Sequence, residues 1–503
     1  MTERPPATDN VECKLASGTS SDRSFGGGAP RSPSRFPCNT LPPCHHSGRF
    51  GLLLAVLLFP GVVLLAGQVV YAPFDEVRAA LTALVEILPG ELKGQTDPAA
   101  AWAAWAPRHD REIRARLERG DEDTIVNWLL FGTTYTSRPR ALFELSGTDD
   151  DKLAALVAAR TGDLIQALRT PGTDERRMFA RRTLERKGFG VATVDQRKQL
   201  EEHLLSEVAR VAQENRGYAS ELGELKKLGD ATEEFAGRSR LFRTRGISLD
   251  TSIQPSFAVE RTLGEMLQRG LIARGVIREV AVLGPGLDFS DKSSGYDFYP
   301  QQTLQPFAII DSLIRLGLAA GPSDVRVTTL DLSPRVNDHL TGAHQRALRG
   351  NPYVVRLPLD LAAPWKPDLL AYWNSIGDRI GTVVQTRKPP AIGQDLHVRA
   401  VSVSARAAQQ VQPEDLDVVV QRLADRRFDL IVATNVFVYY DVLDQALAFT
   451  NVEAMLRPGG FLLSNNALLE LPESRMRSVG YLTVQYSDRQ DDGDHIVWYR
   501  RMP

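Results

Sequence analysis

The sequence predicts an α/β fold: a doubly wound, mostly parallel sheet in the C-terminal part, preceded by a mainly α-helical domain and one N-terminal hydrophobic helix. Three observations carry this. From Val276 onward short apolar runs alternate with helical ones, the pattern of βαβ units. Between about 75 and 275 apolar residues recur at helical spacing, with no repeat of fixed period. Residues 50 to 74, "FGLLLAVLLFPGVVLLAGQVVYAPF", are an uncharged apolar run about long enough to cross a ~30 Å hydrocarbon core.

At 503 residues, with 43% apolar and 24% charged content, the chain has room for two or three domains and a sizeable core. Lys+Arg 60 against Asp+Glu 62 leaves a net charge of -2, so no global basic field points to a nucleic-acid partner. Cys13, Cys38 and Cys44 all lie in the first tenth of the chain, which leaves the body without a disulfide framework or thiol nucleophile. The cluster Cys38, Cys44, His45, His46 lacks the paired close spacing of a zinc site, and no metal is expected.

Taken in order, residues 1 to 49 are rich in Ser, Pro, Gly and Thr without apolar periodicity and read as a disordered tail. Residues 50 to 72 are either a retained transmembrane anchor or an export signal cleaved after Ala72. Arg31, Arg35 and Arg49 precede this run and Asp75 and Glu76 follow it, which places the tail in the cytoplasm and the body outside. The expected location is therefore the membrane or the exterior, with the side left open. Residues 73 to 255 form the helical domain: "DKLAALVAARTGDLIQAL" and "QRKQLEEHLLSEVARVAQE" are amphipathic, with Leu200, Leu204, Val208 and Val211 on one packing stripe. Trp102 and Trp105, three apart, read as core.

Residues 256 to 503 carry the chemistry. "VIREVAVLG" reads as a buried strand, "TLQPFAIIDSLIRLGL" as a helix, "DVRVTTLDLS" as a second strand and "FDLIVATNVFVYY" as a later one. In such sheets ligands gather at the carboxyl ends of the strands, which selects Gly284-Pro285-Gly286, Asp331 with Leu332, and Asn435. A carboxylate at the end of the second strand can accept both hydroxyls of a ribose, and glycines at the end of the first let backbone N–H groups approach a ligand. Together they describe a nucleoside pocket.

Gly-Pro-Gly, "LDLSP" at 330 to 334, "FDLIVATNVFVYYD" at 428 to 441 and "LRPGGFLL" at 456 to 463 resemble the motifs of class I S-adenosylmethionine-dependent methyltransferases. The third stretch is similar in style to chemotaxis-receptor glutamate methyltransferases. The resemblance covers residues 276 to 500 and implies a Rossmann-like sheet closed by an antiparallel strand pair, matched by "GYLTVQY" and "HIVWYRR". It also implies S-adenosyl-L-methionine as cofactor, with Gly284, Pro285 and Gly286 near the methionine, Asp331 and Leu332 at the ribose, and Asn435 near the methionine or acceptor. Adenine contacts are implied from the third strand, for which Asp360 in "RLPLDLAAPW" and the Leu396 to Ala405 strand compete.

The pattern departs from the family at Val282, where an acid is usual, and at Asp288, near the usual third glycine. About fifteen residues containing Tyr296, Asp297, Phe298 and Tyr299 separate the glycine turn from its helix, as either a lid or a plug. Tyr299 and Tyr439 are the candidate catalytic residues, with packing aromatics as the competing reading. For Asp331 the competitor is a turn residue before Ser333-Pro334, and for Asn435 it is backbone capping.

Methyl transfer needs alignment and exclusion of water more than acids and bases. The expected function is in-line methyl transfer to an unidentified acceptor, a carboxylate, hydroxyl or small molecule. The alternative is a non-catalytic scaffold at the cell envelope. A dehydrogenase would need a third glycine near Phe289, which is absent.

Overall fold

The computed structural model describes residues 67–141, 150–227, 237, 242, 246–290, 296–386, 396–489 and 492–503. The expected disordered tail, the Cys/His cluster and residues 50–66 of the apolar run lie outside them. The described end of that run is not helical. Val69–Tyr71 forms a strand, β1, and among the described residues no helix is long and apolar enough to cross a membrane. Val-Val-Tyr suits an extended, half-buried chain, and Ala72 behind it is buried, its carbonyl accepting a hydrogen bond from Trp102 Nε1 at 2.7 Å.

Helices follow: Phe74–Ala83, Pro98–Phe131, Asp150–Arg169, Glu175–Arg186 and Val194–Lys227. The Pro98–Phe131 helix starts where the Asp97 carboxylate accepts the Ala100 N–H at 3.0 Å, with Pro98 in the first turn, where no partner N–H is missed. Asp174 caps the Glu175–Arg186 helix in the same way through Arg177 N–H. Leu200, Leu204, Val208 and Val211 are buried together, as their spacing predicts. Trp102 and Trp105 are core residues, 2% and 4% exposed.

The helix Ile253–Gln268 spans residues 255 and 256 and leads into the sheet region. In chain order the strands are β2 (Glu279–Leu283), β3 (Arg326–Asp331), β4 (Tyr353–Asp360), β5 (Gly381–Val384), β6 (Leu396–Val403), β7 (Val411–Asp415), β8 (Gln421–Leu423), β9 (Phe428–Ala433), β10 (Leu456–Ser464), β11 (Met476–Gln485) and β12 (Gly493–Arg501). The main sheet has the order β11-β12-β10-β9-β2-β3-β7. From β10 to β7 all neighbours are parallel, and β12 runs antiparallel between β10 and β11. The antiparallel closing pair implied by the resemblance is present.

The third parallel strand is neither candidate. It is β7, whereas Asp360 and residues 396–405 belong to a separate antiparallel sheet of order β4-β6-β5. Pro413 inside β7 is tolerated because the strand lies at the sheet edge.

Both faces of the main sheet are covered, so its strands read as continuous apolar runs. Val280 and Val282 of β2 pack with Val327, Leu430 and the helices Ile253–Gln268 and Gln305–Arg315. Ala281 and Leu283, one residue out of phase, pack on the other side with Ile431, Phe449, Trp102, Trp105 and Ile113. The helical zone thus supplies part of the sheet's own core.

Candidate functional site

The strand order reverses at β2, whose neighbours β3 and β9 lie on opposite sides. Such switch points leave a crevice at the carboxyl ends of the strands. A cleft of about 880 Å³ opens there, lined by Gly284 and Gly286 after β2, Asp331 and Leu332 at the end of β3, Leu416 and Val418 after β7, and Asn435, Val436 and Tyr439 after β9. Residues 247–252 and the first turn of the Ile253–Gln268 helix close one wall. Of the sequence-predicted residues, this brings together Gly284, Gly286, Asp331, Leu332, Asn435 and Tyr439.

Both glycines are needed for their backbone. Gly284 has φ 59° and Gly286 φ 73°, the left-handed region that glycine enters without strain. A Cβ at Gly286 would lie 2.1 Å from Thr251 Cγ2 and 2.6 Å from the Leu249 carbonyl oxygen. What the bare backbone admits there is therefore the 247–252 segment, a strap laid across the turn. Pro285 is buried and does not line the cleft, a correction to its expected place.

The strap explains the departure at Asp288. This buried carboxylate accepts both the N–H and the hydroxyl of Thr251 at 2.8 Å, while the Asp250 carboxylate accepts Phe289 N–H at 2.9 Å. Leu287 N–H donates to Leu249 O at 2.9 Å. Where the family pattern holds a glycine, this chain uses an acid to fasten a cleft wall.

Asp331 makes the turn bond of the competing reading and also lines the cleft. Its Oδ1 accepts Ser333 N–H at 2.8 Å, a turn-capping bond, and the side chain also faces the cleft at 5% exposure. Burial pushes its carboxyl up to about 7, with the charge of Asp415 adding to the effect. Among the described residues its second oxygen has no hydrogen-bond partner. Arg114 braces this corner by donating to Leu332 O at 3.0 Å and pairing with Asp415 at 2.7 Å.

Asn435 has φ 59°, and among the described residues no other non-glycine has a positive φ. Asn is one of the few residues that tolerates this region. Its N–H donates to Asn465 Oδ1 at 2.8 Å and Asn465 Nδ2 donates back to Asn435 Oδ1 at 2.7 Å, tying the ends of β9 and β10 together. Tyr439 is half-buried in the cleft wall, its carbonyl accepting from Arg116 at 2.8 Å and its ring edge-on to Phe242 at 5.5 Å.

Tyr299 is elsewhere. It is 3% exposed and lines a second cavity of about 550 Å³ that shares only Thr251 and Ser252 with the cleft. Residues 291–295 of the segment that carries it lie outside the described residues, and its described part is pinned to the helical zone by Asp297. That carboxylate accepts from Trp128 Nε1 at 2.7 Å, from the hydroxyls of Thr133 and Thr134 at 2.6 and 2.7 Å, and from both their N–H groups. Phe289, fully buried, packs against Trp128 and Phe179 in the same place. Among the described residues no cluster of His, Cys, Asp and Glu is arranged to hold a metal.

No protein-family model matches the chain, and no curated protein sequence matches it. Solved structures to which it is similar include the N-methyltransferase NodS from Bradyrhizobium japonicum WM9, 16% identical, covering 48% of this chain and 97% of that one with a TM-score of 0.25. Others are magnesium protoporphyrin IX methyltransferase ChlM from Synechocystis PCC 6803 with bound S-adenosylmethionine, at 10%, 49% and 80% with 0.24, and the glycopeptide N-methyltransferase MtfA, at 13%, 49% and 96% with 0.25. At these scores the fold assignment rests on the strand order and directions above.

Proposed function

We propose that the protein is an S-adenosylmethionine-dependent methyltransferase whose cofactor site is the cleft at the carboxyl edge of the sheet. The observation that carries this is Asp331: a buried carboxylate facing the cleft from the end of the second strand, in a sheet of order β7-β3-β2-β9-β10 closed by an antiparallel pair. The cleft is concave and lined by apolar side chains with a few polar groups, as small-molecule sites are.

The residues present fit the group. The Asp331 oxygen without a partner can accept ribose hydroxyls, Leu416 and Val418 offer an apolar slot for a base at the end of β7, and Gly284 and Asn435 border the methionine side. When bound, the cofactor supplies a methyl group on a positively charged sulfur. The chain's part is to hold the reactants in line and keep water out, for which the apolar wall of Leu117, Ile247 and Val436 serves. Tyr439, between the ends of β9 and the strap, is placed to orient the acceptor; Tyr299 is not. A carboxylate acceptor would need no general base, and a hydroxyl would. The acceptor class stays open between carboxylate, hydroxyl and small molecule.

The test is calorimetric titration of S-adenosylmethionine and S-adenosylhomocysteine into the full-length protein, beside Asp331→Ala. Micromolar binding, weakened ~10-fold or more by the substitution, is expected, a loss of ~1.4 kcal/mol. No heat of binding from a sample whose circular dichroism shows it folded would sink the reading and leave a scaffold role as the better account.

A further inference from the structure

A further concave surface, of about 1380 Å³, lies between the Glu175–Arg186 and Pro334–Leu348 helices, with Leu287 in its wall and β4 on one side. Arg182, Arg335, Arg346 and Arg356 line it against Glu175 and Asp338, an excess of two positive charges. Other buried or half-buried arginines close on carboxylates, as Arg210 does on Asp123, Glu207 and Glu214, or on carbonyls, as Arg160 does on those of Leu129, Gly132, Arg138 and Pro139. In this cleft the one ion pair of the four is Arg335 with Asp121, at 3.8 Å.

The guanidinium groups of Arg346 and Arg356 make no ion pair or hydrogen bond among the described residues. Arg335 is held over the Phe179 ring, 4.2 Å from its centre, and none of its three side-chain nitrogens finds a hydrogen-bond acceptor there. Arg356 is half-buried, and burial holds its pKa below the ordinary arginine value. Both Arg346 and Arg356 are near enough to act electrostatically on the buried Tyr353 hydroxyl, so their charges converge on one region. A half-buried cation without a counter-charge, as Arg356 is, is costly to keep, and a planar guanidinium matches the geometry of a carboxylate or phosphate.

We propose that this arginine-lined cleft is a binding site, separate from the nucleoside cleft, for a small ligand carrying a phosphate or carboxylate group, with Arg346 and Arg356 as its principal contacts. The net charge of -2 and the acidic Glu175 and Asp338 in the wall fit a compact anion rather than a nucleic-acid backbone. The proposal does not depend on the methyltransferase reading.

The test is titration of pyrophosphate and, separately, malonate into the full-length protein at constant ionic strength, followed by calorimetry. Submillimolar binding of at least one anion is expected, weakened about tenfold or more in Arg346→Gln and in Arg356→Gln and unchanged in Arg111→Gln, an exposed arginine outside the cleft. Asp331→Ala should leave it intact. Binding of pyrophosphate alone assigns a phosphate ligand, and of malonate alone a carboxylate ligand. Should Arg356→Gln not fold, the exposed Arg346→Gln decides. Absence of binding up to about 10 mM of either anion, or binding that both cleft variants leave unchanged, overturns the proposal.

Discussion

Asp331 keeps a carboxyl in a buried place. Burial lifts its carboxyl to about 7, so near neutral pH the folded protein holds a proton that the unfolded chain, with the ordinary value of 3.8, has already released. The sign follows: stability from the neutral carboxyl is full at low pH and is lost as pH rises from about 4 to about 7. Relative to Asp331→Asn, the wild type should lose up to about 4 kcal/mol across that window in urea unfolding. If ribose hydroxyls donate to the ionised form, as proposed, wild-type affinity for S-adenosylhomocysteine should rise with pH, about tenfold per unit below pH 7, and level off above it. A flat affinity profile from pH 5 to 8 would show that Asp331 does not accept the ligand. This residue, Gly284 and Asn435 were legible in the sequence because apolar runs mark strand ends. Thr251, Asp288 and Arg114 were not, since each acts on a partner 37 or more positions away and no local pattern records such pairings.

Among the elements, the strands of "VIREVAVLG", "DVRVTTLDLS" and "FDLIVATNVFVYY" fall where their apolar runs put them. The third parallel strand escaped because Pro413, Glu414 and Asp415 break its pattern, a composition an edge strand tolerates. The Tyr-rich insertion after the glycine turn was readable as an interruption but not as a clamp, because the donors that hold Asp297 lie more than 160 residues earlier. Its hydrogen bonds hold the Asp297 carboxyl below the ordinary range despite burial, which opposes them. Asp297→Ala would leave Trp128 Nε1 and two threonine hydroxyls without their acceptor in a buried site. A loss of at least about 3 kcal/mol in denaturant unfolding is expected. Under folding conditions the same variant should bind S-adenosylhomocysteine within about threefold of wild type, because the clamp lies outside the nucleoside cleft. A lid would give the reverse pattern, little change in stability and a large loss of affinity.

Across the whole described body the first strand is paired with one about 350 residues later. Val69, Val70 and Tyr71 of β1 register against Leu423, Arg422 and Gln421 of β8, and the Tyr71 hydroxyl donates to Asp110 at 2.9 Å. Ala72, Val77 and Ala80 then join the same apolar cluster as Ala281, Leu283 and Phe449, so the helical zone and the sheet share a core instead of meeting at a thin interface. Two consequences can be measured. Heat or urea should unfold the body in one cooperative transition, with tryptophan fluorescence, which reports on both zones, tracking circular dichroism. A chain beginning at Pro73 loses the β1 ladder, the Tyr71 hydrogen bond and the buried Ala72 contact, each worth about 1 kcal/mol. It should therefore be about 2–4 kcal/mol less stable than one beginning at Gly67. Equal stability of the two chains would mean that β1 adds nothing to the fold and that a cut after Ala72 is harmless. The expected deficit would instead make residues 67–72 part of the folded body, and a cut after Ala72 damaging to it.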